Sequence, residues 1–382
     1  MRILHIYRTY YPDSHGGIQQ AIQQICLATK AYGAESRIFS LSPNPSPKEI
    51  SPAEGLVIRS KSWMAPASCD LSGPSSLIEY KKLVGWADVI HYHFPWPFLD
   101  VLELFNFSNK PRVLTYHSDI VKQKFLKKIY SLLMYRTLHA MSAIIATSPN
   151  YLSSSPVLRR YFLQGKVTLI PLGIARFQSE ENNSDESYLD YLQQIGVKSG
   201  EYLLFIGVLR YYKGVHTLIA AAKSINGSIV IAGNGPQAKT LRALSKLHQL
   251  SNIIFLGEVT KKQKHILLKD CLALVLPSHL RSEAFGMVLI EASMHAKPMI
   301  CCEIESGTSY ANIHGLTGLV VAPNNPAALS EACNGLINNR VLTNQMGQAA
   351  LERYEALFSA SALGKAHIDL YSKLLGAHPS RK

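Results

Sequence analysis

Short apolar runs alternate with longer amphipathic stretches along nearly the whole chain. Ile3-Leu4-His5-Ile6-Tyr7 opens it as a strand, and Ile18 to Ala31 follows with helical periodicity, placing Ile22, Ile25 and Cys26 on one side. Further strands are predicted at Ser36 to Ser40, Leu56 to Ser60, Val89 to Tyr92, Val113 to Tyr116 and Ala143 to Ala146, with helical segments between several of them. The second half repeats the rhythm at Tyr202 to Gly207, Ile229 to Ala232, Ile253 to Val259, Leu272 to Leu276, Met299 to Cys302 and Gly318 to Pro323. Such alternation predicts parallel, doubly wound sheets, whose ligands bind beyond the carboxyl ends of the strands. Between the halves, Gln178 to Gly200 is rich in Ser, Glu, Asn and Asp and poor in packing residues until Tyr188, which reads as a linker.

The candidate chemistry gathers at those carboxyl ends. Leu272 to Leu276 is closed by Pro277-Ser278, and after Gly286 the pattern turns helical, with Met287, Ile290 and Met294 at three- and four-residue spacing. The first amides of such a helix lack intrahelical partners and, with the helix dipole, attract an anion such as phosphate. Glu283 stands before the helix and Glu291 about two turns into it, so the two carboxylates lie roughly 10 to 12 Å apart. That is too far for a shared acid/base pair, which glycosidases hold within roughly 5 to 9.5 Å. It suits two carboxylates gripping hydroxyls at opposite ends of an extended ligand with a diphosphate between them. The competing reading makes Glu283 a helix cap and Glu291 a solvated surface group.

Other strand ends carry their own signals. Gly16-Gly17 precedes a helix, where bare backbone lets a phosphate approach the amides; an ordinary strand-to-helix turn would look the same. His91 and His93 share a strand face, a spacing open to metal binding, but no carboxylate stands close by in the chain. Trp96 is placed as a lining residue of an acceptor pocket. His117 ends another strand. Arg210 and Lys213 put two cations into one short loop, where a departing diphosphate needs its growing charge stabilised. From Val121 to Met141, Lys122, Lys124, Lys127, Lys128 and Arg136 mix with Phe125, Leu126, Ile129, Leu132 and Leu133. Two readings stand for that helix: a surface that lies on anionic lipid, or the charged outer face of a core helix.

Composition narrows the classes. At 382 residues the chain is long enough for two domains with separate cores, and 47% hydrophobic content with 17% charge is that of a globular protein. No apolar run reaches the ~18 residues of a spanning helix, and the start lacks a signal-peptide pattern, so a cytoplasmic location is expected. Six cysteines occur without a Cys-x2-Cys pair and read as buried thiols. The net charge of +13 fits nucleic acid, an anionic membrane or a phosphorylated ligand, but neither zinc-finger spacing nor an aromatic RNA-binding run is present, so no nucleic-acid partner is expected. Asp-x-Asp is absent, which removes support for a metal-dependent nucleotide-sugar site of that type.

Glu283 and Glu291, with seven residues between them, Pro277-Ser278 before, Ala284-Phe285-Gly286 after and Lys297-Pro298 closing the helix, resemble the paired-glutamate motif of retaining glycosyltransferases of family 4, which have the GT-B fold. The resemblance extends over nearly the whole chain. It takes in Gly16-Gly17, the interdomain segment Ile170-Pro171-Leu172-Gly173-Ile174 and the glycine turn Gly233-Asn234-Gly235-Pro236. It implies two doubly wound Rossmann-like α/β domains facing across a cleft: an acceptor-side domain over 1–175, a linker region over 176–200 and a donor-binding domain over 201–358, with the C-terminal helix 359–382 packing back on the first. It also implies transfer of a hexose from a nucleotide-sugar donor to a glycan acceptor, with retention and with no metal or other cofactor.

By the same resemblance His117 stands near the transferred sugar as a catalytic residue, Glu283 holds sugar hydroxyls and Glu291 the ribose. Lys213 takes up diphosphate charge. Family members usually carry Arg directly after the first glycine of that loop, where this chain has Val208, so Arg210 is assigned as its replacement. Gly16, Gly17, Phe285, Gly286, Met287 and Val288 complete the donor contacts around the phosphates, and the loop at Val259 holds the base. Glu305-Ser306-Gly307-Thr308-Ser309-Tyr310 resembles a segment of the subgroup associated with GDP-mannose, which favours that donor. The expected acceptor is a lipid-linked polysaccharide intermediate, as in lipopolysaccharide synthesis, met peripherally at the inner face of the membrane. Three alternatives remain: a UDP-sugar-dependent transferase of the same fold, a nucleotide-sugar 2-epimerase, and a non-catalytic basic protein binding membrane or nucleic acid.

Overall fold

The computed structural model describes residues 1–65, 70–119, 124–177 and 191–377, and for 124–130 the backbone. Most of the expected linker and the last residues of the C-terminal segment 359–382 lie outside this set. So do Lys122 and the side chains of Lys124, Phe125, Leu126, Lys127, Lys128 and Ile129, on which the basic-helix expectation rests. The chain forms two compact units, Met1–Ala175 with Ser359–Lys382, and Arg176–Phe358. The first unit therefore takes chain from both ends of the sequence.

Unit 1 holds an eight-stranded sheet in the order β3-β4-β2-β1-β5-β6-β7-β8. Its strands are β1 Arg2–Ile6, β2 Glu35–Ser42, β3 Glu49–Ile50, β4 Leu56–Lys61, β5 Val89–Phe94, β6 Arg112–Tyr116, β7 Ala143–Ala146 and β8 Val167–Leu169. All neighbours run parallel except β3, which pairs antiparallel with β4. Helices cover the faces, so the inner strands are buried on both sides: every residue of β5 and β7 is buried, His91 and His93 included. The two strands the pattern did not predict, β3 and β8, are sheet edges; each is short and neither is buried, so neither leaves a continuous apolar run. Proline at the first turn sets several helix starts, at Pro74, Pro97, Pro149 and Pro156, and Ser148 and Ser155 also cap theirs with their side chains.

The helix Ala360–Ala377 packs on the helix Gly17–Lys30 and completes the core of unit 1 around Ile25, Ala28, Leu363 and Tyr371. Gly364 permits this contact: a Cβ there would lie 2.5 Å from the Ala28 carbonyl oxygen. The chain leaves and re-enters unit 1 side by side, since Ile174 and Ser359 form a parallel bridge.

Unit 2 holds a six-stranded, wholly parallel sheet in the order β11-β10-β9-β12-β13-β14. Its strands are β9 Tyr202–Ile206, β10 Ser228–Ala232, β11 Ile253–Gly257, β12 Ala273–Leu276, β13 Met299–Cys302 and β14 Gly318–Val321. In both sheets the winding reverses next to the first strand, between β1 and β5 in unit 1 and between β9 and β12 in unit 2. Loops leaving those strands diverge to opposite faces, which opens a crevice at their carboxyl ends. Cys26, Cys271, Cys301, Cys302 and Cys333 are buried free thiols. Among the described residues no helix is long and apolar enough to cross a membrane.

Candidate active site

In unit 2 the loops after β9 and β12 meet at the switch point. Gly214 takes the left-handed conformation at φ 69°, and a Cβ on it would stand 1.9 Å from the Pro277 carbonyl oxygen. Only glycine lets the two backbones come this close. The His279 amide donates to the Tyr212 carbonyl at 3.0 Å, a second tie between the loops. Together these contacts bring Lys213 onto Glu283 in an ion pair whose side chains are 13% and 11% exposed. Ser278 Oγ donates to the same carboxylate oxygen at 3.2 Å. Burial alone would lower the Lys213 pKa, but the charge of Glu283, the Tyr212 phenol and the hydrogen bond to Glu283 outweigh it, and the net shift is upward. The ammonium is therefore fixed in its charged form.

Gly286, left-handed at φ 80°, starts the helix Met287–Met294. Glu291 thus lies little more than one turn in, not two, because the loop after Glu283 stays non-helical as far as Gly286. Its carboxylate meets Lys264 Nζ at 2.6 Å and is 8% exposed. Phe285 and Val288 are buried, Phe285 edge-on to Phe358, so only their backbone groups can serve a ligand. The Gly307 amide donates to the Ala284 carbonyl at 2.8 Å, which seats the Glu305–Tyr310 segment directly on the motif loop. Val259 is half-buried after β11, and Arg210 is exposed beside Lys213, whose charge it opposes.

In unit 1, Gly16 is extended and Gly17 begins its helix; both are exposed. Neither has a positive φ, and a Cβ on Gly17 would meet nothing within 4 Å, so open backbone rather than conformational need marks the pair. Their loop is anchored by Asp13, whose carboxylate accepts from Arg59 Nη2 at 2.6 Å and Nε at 2.8 Å. Arg59 is 4% exposed and also donates to Ser42 and to the Pro47 and Asn44 carbonyls. Trp96 does not line a pocket: it is fully buried, packs against Phe98, and spends its indole N–H on the Asp70 carbonyl at 2.9 Å.

His117 follows β6 and is 5% exposed. Its Nε2 lies 3.0 Å from His93 Nδ1, and His93 Nε2 lies 3.1 Å from His5 Nδ1. Burial pushes His5 and His117 down to about 3 and His93 well below its ordinary value. His5, His91 and His93 bring ring nitrogens within 4.8 Å of one another, a spacing open to a metal. Most of those nitrogens are engaged, since His91 faces the hydroxyls of Tyr371 and Thr115 at 2.7 Å each and His5 Nδ1 faces His93 Nε2, whereas His5 Nε2 has no partner. The structure thus groups Lys213, Glu283 and Gly286 at one switch point, with Glu291 held by the neighbouring helix. It adds Lys264, Asp13 and Arg59, whose partners lie far off in sequence, together with Ser278, five residues from Glu283, and His279. His279 has no signal of its own in the chain, yet it is buried beside His216 and Tyr211 with both ring nitrogens unpartnered.

Two Rossmann-like units, a glutamate pair tied to lysines at a switch point and glycine-opened loops at strand ends define a glycosyltransferase of GT-B type. The chain belongs to glycosyltransferase family 4: the model described as Glycosyltransferase Family 4 matches residues 15–176, and that of the glycosyl transferases group 1 matches 191–353. It is 39% identical to the O-antigen chain mannosyltransferase C of Escherichia coli, over 98% of this chain and 99% of that one. It is 41% identical to the D-rhamnosyltransferase WbpZ of Pseudomonas aeruginosa, over 94% and 93%. Among solved structures it resembles a sucrose-phosphate synthase from Thermosynechococcus elongatus, with a TM-score of 0.77 at 22% identity, covering 98% and 99% of the chains. The protein is an enzyme that uses a nucleotide-sugar donor and a glycan acceptor.

Proposed function

We propose that the enzyme transfers mannose from GDP-mannose to a hydroxyl of a lipid-linked polysaccharide intermediate, with retention of anomeric configuration. The observation that carries the reading is the buried Lys213–Glu283 pair at the unit 2 switch point. It sets a fixed cation beside a carboxylate that can accept from sugar hydroxyls. In this mechanism the bond from the anomeric carbon to the β-phosphate oxygen breaks first. Lys213 takes up the charge that develops, Arg210 assists from the exposed side, and amides at Gly16, Gly17, Gly286 and Met287 add hydrogen bonds. The acceptor hydroxyl attacks from the same face and passes its proton to the departing phosphate oxygen, so no enzyme nucleophile is needed. Glu283 orients the sugar, Glu291 grips the ribose, Val259 borders the base and His117 supports the reacting sugar. No metal or further cofactor takes part.

The mannose assignment draws on the name of the E. coli relative and on the Glu305–Tyr310 segment seated on the motif loop. Peripheral contact with an anionic membrane is part of the proposal, supported by Leu132, 80% exposed on the same helix as the exposed Arg136. Calorimetric titration of GDP, UDP and ADP into the wild type and Glu291→Ala tests the donor half. Selective GDP binding that weakens in the variant supports it, preference for UDP overturns GDP-mannose, and no nucleotide binding by folded protein overturns the site. Co-sedimentation with anionic vesicles at low salt tests the membrane half; protein left wholly in the supernatant refutes it.

A further inference from the structure

One face of the unit 1 sheet carries a row of imidazoles from β1 across β5 to the residue after β6, and the proposed chemistry uses only the last of them. His5 meets His93 at 3.1 Å and His93 meets His117 at 3.0 Å, all three at or below 5% exposure. At the far end, His5 Nε2 is buried with no partner. A neutral imidazole has one N–H and one lone pair, so such a row has only two arrangements. In the first, His117 donates from Nε2, His93 donates from Nε2, and His5 is left with a buried Nε2–H that has no acceptor. In the second, His5 donates from Nδ1 to His93 Nε2, and His93 donates from Nδ1 to His117 Nε2. The unpartnered atom is then a lone pair, and His117 keeps its proton on Nδ1. Buried N–H groups without acceptors are rarer in folded proteins than under-used acceptors, which selects the second arrangement.

We infer that His93 and His5 are positioning residues that lock His117 as the Nδ1–H tautomer, so that it meets the transferred sugar as a neutral hydrogen-bond donor. This rests on the reading of His117 as the group beside that sugar. Burial keeps the row uncharged at neutral pH, since each ring titrates far below its ordinary value. His367, tilted against the His91 ring, follows the same rule: its Nδ1 donates to the Leu363 carbonyl at 2.9 Å and its Nε2 ends as a buried lone pair. Free neutral histidine prefers its proton on Nε2, so the row imposes the less common form.

The test is nitrogen NMR of the full chain labelled at histidine, with His117 assigned by the signal lost in His117→Asn. A protonated Nδ1 and an unprotonated Nε2 on His117 are expected in the wild type; the reverse overturns the inference without any appeal to activity. In His93→Phe, His117 should become a tautomer mixture, and kcat should fall about tenfold with the donor KM nearly unchanged, the size of one weakened hydrogen bond. His5→Gln is the milder variant should the buried ring at 93 be needed for folding. If His117→Asn is slow but His93→Phe keeps both wild-type rate and tautomer, the relay is wrong and the reading of His117 stands. If His117→Asn turns over at the wild-type rate, the reading of His117 falls, and the spectrum still decides the tautomer.

Discussion

Acid should unfold unit 1, and the size of the effect can be worked out from its histidines. Burial lowers His5 and His117 from 6.5 to about 3 and His367 to about 4. A histidine depressed in the folded state contributes stability that is fully present above its unfolded value of 6.5 and is lost as pH falls toward the folded one. Between pH 7 and pH 5 the unfolded chain takes up protons at these three sites and the folded chain does not. Each site then costs about 1.9 kcal/mol, and the three together roughly 6 kcal/mol. His91 and His93, also lowered chiefly by burial, push the same way. Glu103 and Asp70, raised chiefly by burial, act oppositely and offset part of the loss. Against a typical stability of about 5–15 kcal/mol the remainder is decisive. All three tryptophans, Trp63, Trp86 and Trp96, belong to unit 1, so their fluorescence follows this unit in urea. At a slope of about 2 kcal/mol per molar urea, the midpoint should fall by up to ~3 M between pH 7 and pH 5. Coincident midpoints at the two pH values would show that the imidazoles titrate freely in the folded protein and would refute the reasoning.

Three substitutions probe the loops. Lys213→Ala removes the cation at the departing diphosphate and should lower kcat about a hundredfold in a donor-consumption assay; an unchanged kcat would remove Lys213 from the mechanism. Asp13→Asn strips the buried Arg59 of its carboxylate and should cost about 3–5 kcal/mol, seen as a large drop in the tryptophan-monitored Tm, whereas an unmoved Tm would mean Arg59 finds other partners. Gly214→Ala forces a Cβ into the Pro277 carbonyl at a left-handed φ. The loops should part, and nucleotide affinity should fall about tenfold for a strain of about 1–3 kcal/mol; wild-type affinity by calorimetry would show that the loops close without this approach.

What the chain made legible follows from how local each signal is. The buried strands announce themselves as short apolar runs, and β7 and β13 occupy the residues their runs predict. Edges β3 and β8 have no such run. The glutamates and Lys213 could be singled out because they sit in one contiguous motif or one short loop. Lys264 could not, because its meeting with Glu291 depends on how the helix Lys261–Asp270 packs, 27 residues away in sequence. The histidine row was half visible: a period of two puts His91 and His93 on one face, but only the register, with His5 opposite His91 and His93 opposite Thr115, aligns β1, β5 and β6 into a chain. Trp96 misled because an aromatic between two prolines looks like loop lining, whereas its ring is swallowed by the core and its one polar atom finds a carbonyl.

The helix Ala360–Ala377 gives the protein an order of assembly. Unit 1 lacks one wall until this helix is made, and His91 lacks the Tyr371 hydroxyl that its Nδ1 faces. All of unit 2, Arg176–Phe358, is synthesised in between. At roughly 5 to 20 residues per second the ribosome needs about 10 to 40 s for that stretch. During this interval the first half of the chain waits with Ile25, Ala28 and the sheet residues Ile3, Val89 and Val113 missing the helix that packs on them, while the later half can already close on itself. A chain that stops just after Phe358 therefore has all of unit 2 but a unit 1 still without its last helix, and the earliest-made part of the enzyme is the last to be finished.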